Sequence, residues 1–91
     1  MVSSIVKVCN RNGLHLKPAG YLCNLALQYK CKVTLCVGHK QVNAKSVLGV
    51  LSSCLKYGEE LSVQCDGPDE EEALQAIVTE FAKGLGQPED L

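Results

Sequence analysis

Val2, Ser4, Val6 and Val8 alternate with Ser3, Ile5, Lys7 and Cys9. A period of two sends successive side chains to opposite faces, so this stretch predicts a first strand with one face buried. Asn10-Arg11-Asn12-Gly13 is turn chemistry. The period then changes. Ala19, Leu22, Cys23 and Ala26 fall at i, i+3, i+4 and i+7, one apolar stripe of a helix running from Leu16 to Gln28. Pro18 fits only the first turn of that helix, where backbone N–H groups lack helical acceptors. The helix therefore starts at about Leu16, with His15 at or next to its N-cap.

The period of two returns at Val33, Leu35 and Val37, which alternate with Lys32, Thr34 and Cys36 as a second strand. Gly38-His39 predicts a two-residue hairpin turn, with Gly supplying the positive φ and His39 exposed. Lys40 to Asn43 returns as a short third strand. Ser46 is a favoured N-cap residue and predicts a short helix from Val47 to Leu55, ended by Lys56-Tyr57-Gly58. Leu61, Val63 and Cys65 mark a fourth strand. Ala73, Leu74, Ile77 and Phe81 form the core stripe of a last helix. Asp69 followed by Glu72 has the spacing of a capping box, and the acids there complement the positive helix end. Gly84 is the expected stop, and Leu85 to Leu91 are expected to form a flexible tail.

The element order is β-α-β-β-α-β-α. It predicts an α+β fold: a two-layer, open-faced sandwich in which three helices cover a four-stranded, mainly antiparallel sheet. No repeat or linker divides the chain, so residues 1–84 are read as one domain. A chain of 91 residues buries roughly 60–65% of its unfolded surface, enough for one thin core and not for a deep active-site cavity.

Composition adds little to this and charge adds more. With 46% hydrophobic and 21% charged residues, the chain is globular rather than disordered. No apolar run approaches the roughly 18 residues of a membrane span, so no membrane insertion is expected. The start lacks the pattern of a signal peptide, and the expected location is cytoplasmic. Cys9, Cys23, Cys31, Cys36, Cys54 and Cys65 contain no Cys-x-x-Cys pair and have no zinc-like interval to a His, so they read as reduced thiols used mainly in packing. All ten acids lie at Glu59 or later, and residues 1–58 hold eight of the nine Lys and Arg. If the early loops share one face, that face is positive and suits an acidic partner or phosphate. Scattered single cations and the lack of an aromatic platform argue against nucleic acid.

Candidate chemistry concentrates in Asn12-Gly13-Leu14-His15-Leu16-Lys17-Pro18-Ala19. A helix start offers unpartnered N–H groups and a dipole that favours an anion. An unperturbed imidazole has a pKa of about 6.5 and is nucleophilic near neutral pH. A phosphoryl group on His15 would meet backbone donors and the ammonium of Lys17, which stabilise the spread charge of a loose transition state. On residues alone a second reading stands beside this one: a histidine near an N-cap often serves as a local hydrogen-bonding device. No metal site, triad or glycine-rich nucleotide loop is apparent, so neither a cofactor nor independent enzymatic activity is expected.

Gly13-Leu14-His15-x-Lys17-Pro18-Ala19 resembles the phosphohistidine motif of the HPr family, the histidine-containing phosphocarriers of the bacterial phosphoenolpyruvate:sugar phosphotransferase system. Lys45-Ser46-Val47-Leu48-Gly49 is similar to the family's regulatory serine segment. The resemblance extends to about Gly84 and includes the element order. It implies that His15 takes a phosphoryl group, on Nδ1, from enzyme I charged by phosphoenolpyruvate, and passes it to an enzyme IIA protein. It implies that Ser46 is the substrate of an HPr kinase/phosphorylase where that enzyme exists. Leu16, Lys17, Gly20, Asn24, Val47, Leu48 and Leu51 match the family's partner-docking surface. By helical spacing Val47, Leu48 and Leu51 cannot all point inward, so at least one should be an exposed apolar contact. The carrier is expected to act as a monomer.

Three features depart from the family pattern. Lys17 stands where Arg is usual, and Leu16 replaces a smaller, often polar residue. Six cysteines are also unusual. Gly67-Pro68-x-Glu70-Glu71-Glu72-Ala73-Leu74 is similar to the last helix of the nitrogen-related branch, whose carrier is NPr, so a regulatory rather than sugar-feeding role stays open. A regulatory binding module controlled through Ser46, with His15 little used, is a further alternative.

Overall fold

The computed structural model describes residues 1–87. Its elements are β1 (Val2–Lys7), α1 (Leu16–Ala26), β2 (Lys32–Val37), β3 (Lys40–Asn43), α2 (Val47–Ser52), β4 (Glu60–Asp66) and α3 (Glu70–Lys83). The expected β-α-β-β-α-β-α order holds, and the α+β open-faced sandwich with it. The sheet order is β1-β4-β2-β3 and every pairing is antiparallel.

Register follows from the hydrophobic pattern. Val6 lies opposite Leu61, while Val63 sits between Ser4 and Leu35, and Cys65 between Val2 and Val33. These rows put Val6, Leu61, Val63, Cys65, Val33 and Leu35 on one buried face. A one-residue slip in any strand would move its whole apolar set to solvent, which fixes the pairing. The opposite face carries Ser3, Ile5, Lys7 and Lys32 and is open; Ile5 is 67% exposed. Ala73, Ile77 and Phe81 of α3 and Ala19, Leu22 and Ala26 of α1 close the core over the buried face. Fully burying a side chain such as Phe81 or Leu22 contributes roughly 1.5–3 kcal/mol.

Four sequence expectations need correction. First, α1 ends at Ala26, with Leu27 as C-cap, rather than at Gln28. Gln28 and Tyr29 donate to Leu25 and Ala26, so the last turn tightens to i→i+3 bonds before the chain leaves. Second, α2 stops at Ser52 rather than Leu55. The Ser52 and Ser53 hydroxyls donate to the carbonyls of Gly49 and Val50, competing with the helix for its own acceptors, and Cys54 turns to a φ of +54°.

Third, Asp69 is no capping box: its side chain makes no cap bond to α3. Its two carboxylate oxygens instead accept the Lys30 and Cys31 N–H groups at 2.8 and 2.9 Å, tying the start of α3 to the entry of β2. Fourth, the flexible tail does not begin at Leu85. Gly84 caps α3 in the left-handed conformation, as expected, but Leu85 is fully buried in the core and its N–H reaches the Glu80 carbonyl at 2.8 Å. Gly86 then lies directly against the Tyr21 ring. The remainder of the expected tail, residues 88–91, lies outside the described residues.

Candidate functional site

The segment before α1 is held from three sides. The Asn10 carbonyl accepts the Gly13 N–H at 2.9 Å, closing a tight turn. Gly13 has a φ of +73°, and a Cβ there would lie 2.5 Å from the Leu55 carbonyl oxygen. Glycine is thus required twice, for conformation and for close approach. Leu14 is buried, and its N–H donates to the same Leu55 carbonyl at 3.0 Å. The loop after α2 therefore fixes the two residues that deliver His15.

His15 is the N-cap residue of α1, extended at φ −80° and ψ −170°. It is half-buried, while Leu16 and Lys17 beside it are exposed. Its carbonyl accepts the first helical bond, from Ala19 at 3.0 Å, but its ring makes no cap bond to the helix. Pro18 is buried in the first turn and has no N–H to offer, so the Leu16 and Lys17 N–H groups are the donors that the helix geometry leaves at its start. No acid occupies that first turn. Anion-favouring polarity at the helix start is thus not neutralised by a local carboxylate.

α2 packs antiparallel beside α1. The α1 start is joined to the segment after α2 through Leu14 and Leu55. Further along α1, the Cys23 thiol donates to the Lys45 carbonyl at 3.1 Å, just before α2 begins. The Lys45 ammonium crosses to the Tyr29 carbonyl at 2.7 Å, and the Lys45 N–H bonds the Asn43 side chain. His15 and Ser46 thus lie at opposite ends of this helix pair. Eight residues of α1 separate the His15 end from Cys23, a rise of roughly 12 Å. The structure does not bring the two candidate sites together.

Ser46 is the N-cap of α2, as expected: its Oγ accepts the Gly49 N–H at 3.1 Å and its carbonyl the Val50 N–H at 3.0 Å. A Cβ added at Gly49 would come 3.2 Å from the Asn43 carbonyl oxygen, a tight approach. Leu16, Gly20 and Asn24 recur every four residues, which puts them on one stripe of α1. Leu16 is 65% exposed, Asn24 is exposed, and a Cβ built on Gly20 would meet nothing within 4 Å. On α2, Leu48 is 80% exposed, Val47 and Leu51 are half-buried, and Val50 takes the core position. Leu48 is thus the apolar residue that helical spacing leaves exposed.

Two anchors were not legible in the sequence. Leu55 acts through its carbonyl, which every residue has. Asn10 looked like one more turn residue, yet it is fully buried, and its amide donates to the Gly84 carbonyl at 2.8 Å. Among the described residues no cluster of His, Cys, Asp and Glu could hold a metal ion, and no helix is long and apolar enough to cross a membrane. All six thiols are free; Cys23, Cys31 and Cys65 are buried, and burial pushes Cys65 up to about 12.

The family model described as the PTS HPr component phosphorylation site matches residues 2–83. The chain belongs to the HPr family. An HPr phosphocarrier protein of Treponema pallidum is 40% identical over 77 residues, covering 85% of this chain and 88% of that protein. A crystal structure of HPr from Thermoanaerobacter tengcongensis superposes with a TM-score of 0.91 at 30% identity, covering 94% of this chain and 97% of that one. An HPr dimer from the same organism matches at a TM-score of 0.76, also at 30% identity, covering 94% of this chain and 99% of that chain. HPr membership makes this chain a phosphocarrier of the phosphotransferase system.

Proposed function

We propose that His15 is the phosphoryl-accepting residue, charged by enzyme I and discharged to an enzyme IIA protein. The observation that carries this reading is the half-buried imidazole placed at the start of α1, beside the two first-turn N–H donors with no acid among them. In the transfer, a bond forms from Nδ1 to phosphorus as the bond from phosphorus to the donor breaks. The electron pair of the broken bond leaves with the donor. Phosphoryl oxygens near the helix start meet backbone N–H groups and, from Lys17, a mobile ammonium. Enzyme I and the IIA protein supply the remaining groups, so the chain is a carrier and not an enzyme by itself. It acts in the cytoplasm, as a monomer.

Leu16, Gly20, Asn24, Val47, Leu48 and Leu51 form the docking surface in this reading. Their apolar centre buries against a partner while flanking cations orient it. Ser46 serves as a regulatory site for an HPr kinase/phosphorylase. A phosphate there adds about −1.5 to −2 charge at the far end of the helix pair and repels an acidic partner without a rearrangement.

The test is onward transfer. Protein charged by enzyme I and phosphoenolpyruvate is mixed with an enzyme IIA, and loss of label from this chain is followed in time. The native chain should discharge. Leu48→Asp, at an exposed position, should keep its melting temperature and discharge at least about tenfold more slowly, since it places a charge at the centre of an apolar contact. A charged chain that never discharges to IIA proteins of either the sugar or the nitrogen-related branch, or unchanged transfer by Leu48→Asp, contradicts this reading.

A further inference from the structure

We propose that Asn10 is a positioning residue for phosphoryl transfer: its buried amide moors the loop that presents His15 to the end of α3. This inference rests on the reading of His15 as the phosphoryl acceptor. Asn10 is fully buried, 74 positions from the residue it bonds. Its Nδ2 donates to the Gly84 carbonyl, the αL cap of α3, at 2.8 Å, and its main-chain carbonyl closes the turn to Gly13. The same five-residue run, 10–14, is held to the loop after α2 through Leu55 at its other end. His15 follows directly. Three elements, α3, α1 and the segment after α2, thus converge on one short loop, with Asn10 as the only side chain among these links.

Stability alone does not account for an amide at this point. Its Oδ1 is buried and has no hydrogen-bond partner among the described residues. A buried, unsatisfied acceptor is destabilising, and such groups in native structures recur where function constrains the residue. The Gly84 carbonyl does not depend on Asn10 either, because it also accepts the Gln87 N–H at 3.0 Å. An apolar residue of the same size would remove the orphan oxygen and leave Gly84 partnered. What the amide supplies, and a leucine cannot, is a fixed distance between the α3 cap and the turn before His15. Effective transfer needs the nucleophile in near-attack geometry, and displacement by about 1 Å can cost up to about a hundredfold in rate.

The experiment compares the native chain with Asn10→Leu and Asn10→Thr, the second carrying a hydroxyl too short to replace the amide. Each is assayed as the phosphoryl acceptor of enzyme I at varied acceptor concentration, and each is melted. The expected result is a cooperative melt close to native, KM within about twofold, because the docking surface is untouched, and kcat lowered by about tenfold or more. Ile77→Val, a core change in α3 away from the loop, should lower the melting temperature and leave kcat at the native value. Native kcat in both folded Asn10 variants overturns the proposal. So does loss of cooperative folding in both, which would make Asn10 a folding residue. Failure of the native chain to accept phosphoryl groups would instead refute the His15 reading, and is read from the same assay.

Discussion

Lys17 stands two positions after His15, exposed and with no acid in its turn of the helix. An ammonium supplies charge but not the planar fork with which a guanidinium grips two phosphate oxygens at once. Lys17→Arg is therefore expected to speed phosphoryl transfer from enzyme I about threefold to tenfold, with stability unchanged; equal rates for the two proteins would contradict a phosphate-contacting role at this position. The placement of His15, Lys17 and Pro18 at the start of α1 was legible because imidazole, cation and helix-start constraint are all side-chain identities at fixed spacing. Asn10 was not. Its contribution comes from a bond to Gly84 across nearly the whole chain, and its burial depends on how α3 closes over the sheet. Local composition carries no record of either. The thiols divide similarly: Cys23 is both core filler and a donor to Lys45, which spacing alone could not distinguish from simple packing.

At the scale of elements, all seven were legible in type and order: five have a run with a clean period of two or 3.6, while β3 followed from the Gly38-His39 turn and α2 from the Ser46 cap. Ends were less legible wherever polar groups from elsewhere took over the backbone. Asp69 shows this most clearly. Its carboxylate is held below the usual range, chiefly by the Lys30 N–H and with the Cys31 N–H beside it. Glu70 is likewise held down, chiefly by the Gly67 N–H at 3.1 Å, with the Met1 ammonium 3.2 Å away. For both, the unfolded chain binds the proton more tightly. Their contribution is fully present above the unfolded values of about 3.9 and 4.3, and is lost as pH falls through the lower folded values. Asp69→Asn should therefore lower the melting temperature at pH 7, and the gap from the native chain should close as the solution is taken below pH 4. A gap that stays constant from pH 7 to the acid limit would show that the carboxylate charge is not what joins α3 to β2.

Taken whole, the molecule has eight of its nine Lys and Arg in residues 1–58 and all ten acids from Glu59 on. The charge count pointed to a positive early face, but could not show how the cations are used. Lys45 and Lys40 spend their ammonium groups on the Tyr29 and Ser52 carbonyls, at 2.7 and 2.9 Å, where α1 and α2 end. Lys45 thereby staples the helix pair, and Lys40 ties β3 to the end of α2. Lys17 is left exposed beside the His15 end, where an acidic partner or a phosphoryl group would arrive. The most direct test of the account is 31P NMR of the intact protein after incubation with enzyme I and phosphoenolpyruvate. The account predicts one phosphoramidate signal, stable in base and lost in acid, that is absent from folded His15→Ala. A signal that persists in His15→Ala, or none in the native chain under conditions that charge another HPr, would contradict it.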